Sequence, residues 1–301
     1  MADAIALAAG AAQVVIEPGT GGALASFAVG GVDILRPTLP GATDVRAHAC
    51  YPLVPYSNRI ANAQLAFRGR TFGLARNFGD HPHSIHGVGW QQSWTVAAHD
   101  ATSARLVLEH TGAGDAANAW PWPFRATESI ALRGDGTRAT LTLKLTLANT
   151  GHSAFPFGLG FHPFLVRGPS ARLGFRARGV WRTDATRLPL ALEPMLPGGP
   201  FEPPRDPGTD AIDNVFAGWD GAAVLDDARR RIAVTLAADR AASFLVVYAP
   251  EGAAFLALEP VTHMTDAFNR AARGDQDTGT RTLGPGSAFS CTMEIGVRPL
   301  P

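Results

Sequence analysis

Five short segments of the chain place titratable or hydrogen-bonding side chains in settings where they can do chemistry. In "FGLGFHPFLV" (157–166), His162 lies between Phe161 and Pro163, with Gly158 and Gly160 just before it. In "FLALEPVTHMTDAFN" (255–269), Phe255, Leu256, Ala257 and Leu258 read as a buried strand, with Glu259 at its end. Desolvation raises a carboxyl pKa and a nearby positive charge opposes the rise. A carboxylate tuned in this way suits a general base near neutral pH. The residues alone leave alternatives. His162 is either a satisfied core histidine or a proton-transfer group in a pocket. Glu259 is either such a base, a cap for the short helix that follows, or the partner of an arginine.

The other three segments supply donors, acceptors and rings. In "YPLVPYSNRIANA" (51–63), Asn58 and Arg59 follow a turn-rich run, and Arg59 is either a surface residue or a donor fork for hydroxyl or carboxylate oxygens. In "GDHPHSIHGVGWQQSW" (79–94), His81, His83 and His86 raise the question of a metal. No nearby cysteine or acidic cluster completes such a site, and Gly87 after His86 suits close approach to a ligand. Trp90 and Trp94 are either core residues or stacking faces for sugar rings. In "TDAIDNVFAGWD" (209–220), Asp213 sits among apolar neighbours as a helix cap or as an acceptor for hydroxyls, and Trp219 offers another indole face.

The elements that must position these groups are strands. Leu141, Leu143, Leu145 and Leu147 alternate with polar residues, as do Ile232, Val234 and Leu236, and Phe289, Cys291, Met293, Ile295 and Val297. Such alternation marks half-buried antiparallel strands, and turn signals separate them, so roughly twenty strands are expected. The best helical candidate is the short stretch 265–273, and 194–210 reads as a long Pro- and Gly-rich loop. The fold expected is all-β: one large antiparallel β-sandwich domain over residues 1–301 with few short helices.

Composition narrows the function classes. Apolar residues make up 46% of the 301 residues and charged residues 17%, which suits a sizeable core and not disorder. The 26 basic and 26 acidic residues balance, so no nucleic-acid partner is expected. No apolar run reaches the roughly 18 residues of a membrane span, and the N-terminus lacks a basic leader region. Cys50 and Cys291 are far apart and read as free thiols in a cytoplasmic protein. No nucleotide-binding loop or serine nucleophile elbow occurs, so no cofactor is expected.

Taken together and in order, "YSNRI", "SIHGVGW", "GLGFHPF", "IDNVF" and "LEPVTHMTDAFN" resemble the aldose 1-epimerase (galactose mutarotase-like) family over about residues 50–290. The resemblance implies a mutarotase-like supersandwich with a sugar cleft on its concave side. It also implies cofactor-free interconversion of the α and β anomers of a free aldose by a monomer or homodimer. By position, Glu259 would be the general base and a protonated His162 the general acid. His86 would bond near the ring oxygen, Arg59 and Asp213 would hold hydroxyls, and Asn58 and Trp219 would complete the binding set. Gly158 and Gly160 would leave room for the sugar. Val261 stands where the better-known galactose enzymes carry glutamine, which bears on sugar choice. Three alternatives stay open: an epimerase of a phosphorylated hexose, with Arg59, Arg68, Arg70 and Arg76 as phosphate candidates; a non-catalytic carbohydrate-binding protein; and a metal enzyme built on His81, His83 and His86.

Overall fold

The computed structural model describes residues 3–195, 201–207 and 211–300. Among them are 26 strands and two α-helices, of four and six residues. The alternating segments fold as their pattern dictates. The strand Ala139–Asn149 pairs antiparallel with Ala288–Pro299, setting Leu141 opposite Ile295, Leu143 opposite Met293 and Leu145 opposite Cys291. Those side chains are all fully buried. They lie in an eight-stranded sheet running from Thr95–His99 at one edge to Ala171–Phe175 at the other.

A second large sheet positions the chemistry. Its order runs from Pro189–Pro194 through Gly179–Thr183, Ile212–Ala217, Phe244–Ala249 and Phe255–Val261 to Gly160–Phe161 and Pro52–Leu53. The short strand Phe164–Val166 also pairs with Phe255–Val261. Successive strand residues face opposite sides of a sheet, so the register sorts them. Leu245, Val247, Leu256 and Leu258 share one face and join the same core cluster as Leu141 and Leu143. Asp213, Val246, Tyr248, Phe255 and Glu259 share the other face.

The helix expected over 265–273 is Ala267–Ala272. Of the expected loop 194–210, residues 196–200 and 208–210 lie outside the described residues. Residues 201–207 return to a sheet through a bridge between Arg205 and Leu173, and Phe201 stacks on Phe175. Both cysteines are free and buried. No helix of the described residues is long and apolar enough to cross a membrane. One polar group breaks the inward pattern. Glu128, on the strand Phe124–Gly134, is 1% exposed, its Oε2 has no hydrogen-bond partner among the described residues, and burial pushes its pKa up to about 8.

Candidate active site

The register of the second sheet brings His162 to Glu259. Phe164 pairs with Ala257 and Gly160 with Val261 on the same antiparallel neighbour, so the intervening His162 falls opposite Glu259. On that side the ladder is interrupted between the two short strands. The interruption is where Pro260, which has no N–H to donate, is tolerated without ending the strand. The strand therefore continues to Val261, and Glu259 lies inside it, not at its end as the sequence pattern suggested. Glu259 thus caps no helix. Asp213 is likewise a strand residue of Ile212–Ala217 and not a cap.

His162 Nε2 lies 3.2 Å from Glu259 Oε1. Both residues are buried, and among the described residues Glu259 Oε2 and His162 Nδ1 have no hydrogen-bond partner. The imidazole is packed between Tyr51 and Phe164, with ring centroids 4.7 Å and 4.5 Å away. Desolvation dominates both groups. It raises the Glu259 pKa well above the ordinary carboxyl value, with Asp213 adding to the rise and Arg59 opposing it. It lowers the His162 pKa to about 3, with the Arg36 charge adding to the fall. Burial therefore favours the neutral form of each partner. A proton on the carboxyl and a proton on the imidazole are two arrangements of the same single proton on a pair in contact at 3.2 Å.

His86 adds a neutral donor. The Asn58 N–H donates to His86 Nδ1 at 3.0 Å, which leaves the ring proton on Nε2. Burial, with the charges of His162 and Arg59, keeps its pKa well below the ordinary imidazole value. Asn58 and His86 both adopt left-handed backbone, at φ 56° and 59°, and the His86 N–H donates back to the Asn58 carbonyl at 2.9 Å. Gly87 must be glycine: a Cβ there would stand 2.4 Å from the Val54 carbonyl oxygen. Asn58 Oδ1 accepts from Arg59 Nη1 at 3.0 Å, and Arg59 Nη2 lies 3.8 Å from Asp213 Oδ2. Arg187 approaches the same oxygen to 3.4 Å.

These groups line one cleft of about 500 Å³, within the usual size for a small-molecule site. It contains Glu259, His162, His86, Asn58, Arg59 and Asp213 together. A separate cavity of about 450 Å³ lined by Arg178, Trp181 and Asp277 contains none of them, so size does not single out the site.

Trp219 does not belong to the cleft. Gly218, at φ 64°, turns the chain so that the indole is buried and its N–H donates to the Ala222 carbonyl at 2.9 Å. Trp90 and Trp94 are also buried, with their indole N–H groups on the carbonyls of Gly87 and Gly89; Trp90 backs Tyr51 from 5.9 Å. The space at Gly158 and Gly160 is not left for a sugar. A Cβ on Gly158 would meet the buried His263 ring at 1.7 Å, and one on Gly160 would meet Val261 at 2.7 Å. Of the phosphate candidates only Arg59 lines the cleft; Arg68 and Arg70 lie over Phe67 and Phe72 on the Gln64–Gly73 hairpin. Among the described residues no three His, Cys, Asp or Glu side chains are arranged to hold a metal ion. His81 and His83, like His86, accept backbone N–H bonds at Nδ1. Sequence reading missed Arg36, Tyr51, Phe164, Arg187 and Tyr248 as lining residues. Tyr51 and Phe164 stand in the very segments that carry Asn58 and His162.

The architecture and the cleft define a galactose mutarotase-like β-sandwich with a carboxylate–imidazole pair on the open face of one sheet. The chain belongs to the aldose 1-epimerase family, whose model matches residues 3–296. It is 28% identical over 285 residues to the uncharacterized protein YphB of Escherichia coli K12, covering 92% of this chain and 93% of that protein. A crystal structure from Escherichia coli K12 superposes with a TM-score of 0.87 at 25% identity over 99% of both chains. A galactose mutarotase-like protein from Clostridium acetobutylicum superposes with a TM-score of 0.85 at 19% identity, over 99% of this chain and 95% of that one.

Proposed function

We propose that the protein is a mutarotase that opens and recloses the ring of an aldose, using Glu259 and His162 as its proton-transfer pair. The observation that carries this reading is their 3.2 Å contact in a buried cleft. O1 and the ring oxygen O5 of a cyclic aldose share one carbon, C1. Two groups this close can therefore address both oxygens without either moving far, and holding them so removes most of the entropic cost of a termolecular encounter.

With the proton on His162, the Glu259 carboxylate takes the O1 proton while Nε2 gives its proton to O5. The C1–O5 bond breaks with its electrons going to O5, and C1=O1 forms. Rotation about C1–C2 and the reverse transfers close the other anomer. Ring opening thus converts a charged pair into a neutral one, the arrangement that burial favours. The Nε2–H of His86, a residue of the same cleft lining, steadies an oxygen at the reacting end. Arg59 and Asp213 bind hydroxyls farther along the ring.

The test is the rate at which fresh α-D-glucose and α-D-galactose lose optical rotation, with and without protein, for the native chain and Glu259→Gln. No acceleration by the native protein, with sugar binding retained, would make it a carbohydrate-binding protein instead.

A further inference from the structure

Past the end of the strand that carries Glu259, the chain is tied in turn to the other segments of the site. The Thr262 N–H donates to the Leu159 carbonyl and the Leu159 N–H donates to Thr262 Oγ1, both at 2.9 Å. The Asp266 N–H donates to the Arg59 carbonyl at 2.9 Å, and the Ala61 N–H donates to Asp266 Oδ1 at 3.0 Å. Between these two ties the buried ring of His263 reaches Ser57. Its Nε2 accepts the Ser57 N–H at 3.1 Å, and its Nδ1 donates to the Met264 carbonyl at 2.7 Å. One partner is a donor and the other an acceptor, so a neutral ring satisfies both only with its proton on Nδ1. Burial lowers the His263 pKa to about 4, which keeps the ring neutral. Gly158 makes room for it: a Cβ there would stand 1.7 Å from His263 Cδ2.

Ser57 and Asn58 are consecutive, and their N–H groups end on two different imidazoles, His263 Nε2 and His86 Nδ1. Asn58 is left-handed at φ 56°, a conformation that a non-glycine residue keeps where its surroundings over-determine it. Ser57 is fully buried, and its Oγ has no hydrogen-bond partner among the described residues. Without His263 the Ser57 N–H is an unpaired buried donor, a costly state that the peptide relieves by turning. Such a turn carries the next amide with it, the one that His86 Nδ1 accepts. Once Nδ1 is released, the His86 proton can move there, and Nε2 becomes an acceptor instead of a donor.

We infer that His263 is a positioning residue: by gripping the Ser57 amide it holds the Asn58 amide against His86 Nδ1 and so keeps the His86 proton on Nε2. Its effect on rate rests on the role given above to His86, whereas its effect on the tautomer does not.

The test joins imidazole nitrogen NMR to anomer-exchange rates for glucose. In the native protein, scalar coupling across the hydrogen bonds should join the Ser57 amide to His263 Nε2 and the Asn58 amide to His86 Nδ1. His263→Phe keeps a ring and removes the acceptor. Its His86 signals should leave the pure Nε2–H pattern, and kcat/KM should fall about 10- to 100-fold, no further than in His86→Asn. In the His86→Asn background the same substitution should cost almost nothing more, because both changes remove one function. A merely structural role would cost the same in both backgrounds. His263→Gln, whose side-chain oxygen can take the Ser57 N–H, should restore the tautomer and most of the rate. Unfolding midpoints establish that folded proteins are compared. An absent Ser57–His263 coupling overturns the inference whether or not the phenylalanine variant folds. An unchanged His86 tautomer in folded His263→Phe, or equal rate losses with and without the His86 ring, does the same and leaves the mutarotase reading standing. No acceleration by the native protein overturns that reading, and the couplings and the tautomer then decide the role of His263 alone.

Discussion

Asn58 and His86 hold each other twice: the Asn58 N–H donates to His86 Nδ1 and the His86 N–H donates to the Asn58 carbonyl. The tautomer of His86 is thereby set by backbone and not by another side chain. His86→Asn tests what the ring supplies, because asparagine tolerates the left-handed backbone found there. The variant should fold with near-native stability and lose about 10- to 100-fold in kcat/KM, the worth of one buried donor. Thermal unfolding and mutarotation rates on the same sample check both halves.

Glu259→Gln and His162→Asn should each lower the catalysed rate by about 10²- to 10⁴-fold, the usual contribution of a positioned proton-transfer group. The two losses should not add in the double variant, because the groups share one proton and act as a unit. A polarimetric double-mutant cycle reads this directly. Additive losses would mean that the two side chains work independently.

The pH profile follows from the same pair. Activity requires one proton on it. A second proton must enter a pair whose imidazole pKa is lowered to about 3, so the acid limb lies well below the ordinary histidine range. The last proton leaves a pair whose carboxyl is raised well above its ordinary value, so the alkaline limb is displaced upward. kcat/KM should therefore be flat through the interval in which a free histidine titrates, near 6.5. A midpoint there would show that His162 is solvated and acts alone.

Glu128 makes a prediction about stability without reference to activity. Its folded pKa, about 8, lies above the unfolded value. The folded state therefore holds its proton longest, and stability present below the unfolded pKa is lost as pH rises toward 8. At about 1.4 kcal/mol per pH unit, the loss is on the order of 3–5 kcal/mol. Glu128→Gln should remove most of this dependence. Denaturation midpoints of both proteins between pH 5 and pH 9, with the variant gaining relative stability as pH rises, would bear this out.

Much of this arrangement is legible in the chain, because strand alternation is a local property. The leucines from 141 to 147 announce their face whatever lies across the sheet. The apolar neighbours of His162 and Glu259 likewise announce burial. What is not local is hidden. Pro260 reads as a strand end, yet here it occupies a break in the neighbouring ladder made by residues about a hundred positions earlier. Trp219 offers the composition of a sugar platform, but the turn at Gly218 sends it inward. Gly158 looks like clearance for a ligand and is clearance for His263. Arg36 stands in an unremarkable stretch, "VDILRPTLP", and gains its setting only from Phe164 and Phe255.

The second atoms of the reacting pair, Glu259 Oε2 and His162 Nδ1, have no hydrogen-bond partner among the described residues. On the mechanism proposed here, the hydrogen lent to the opened chain is the one reclaimed on closing, and either anomer leaves the site as it found it. Successive visitors then need no recharging step between them, and raising the buffer concentration should not quicken the cycle.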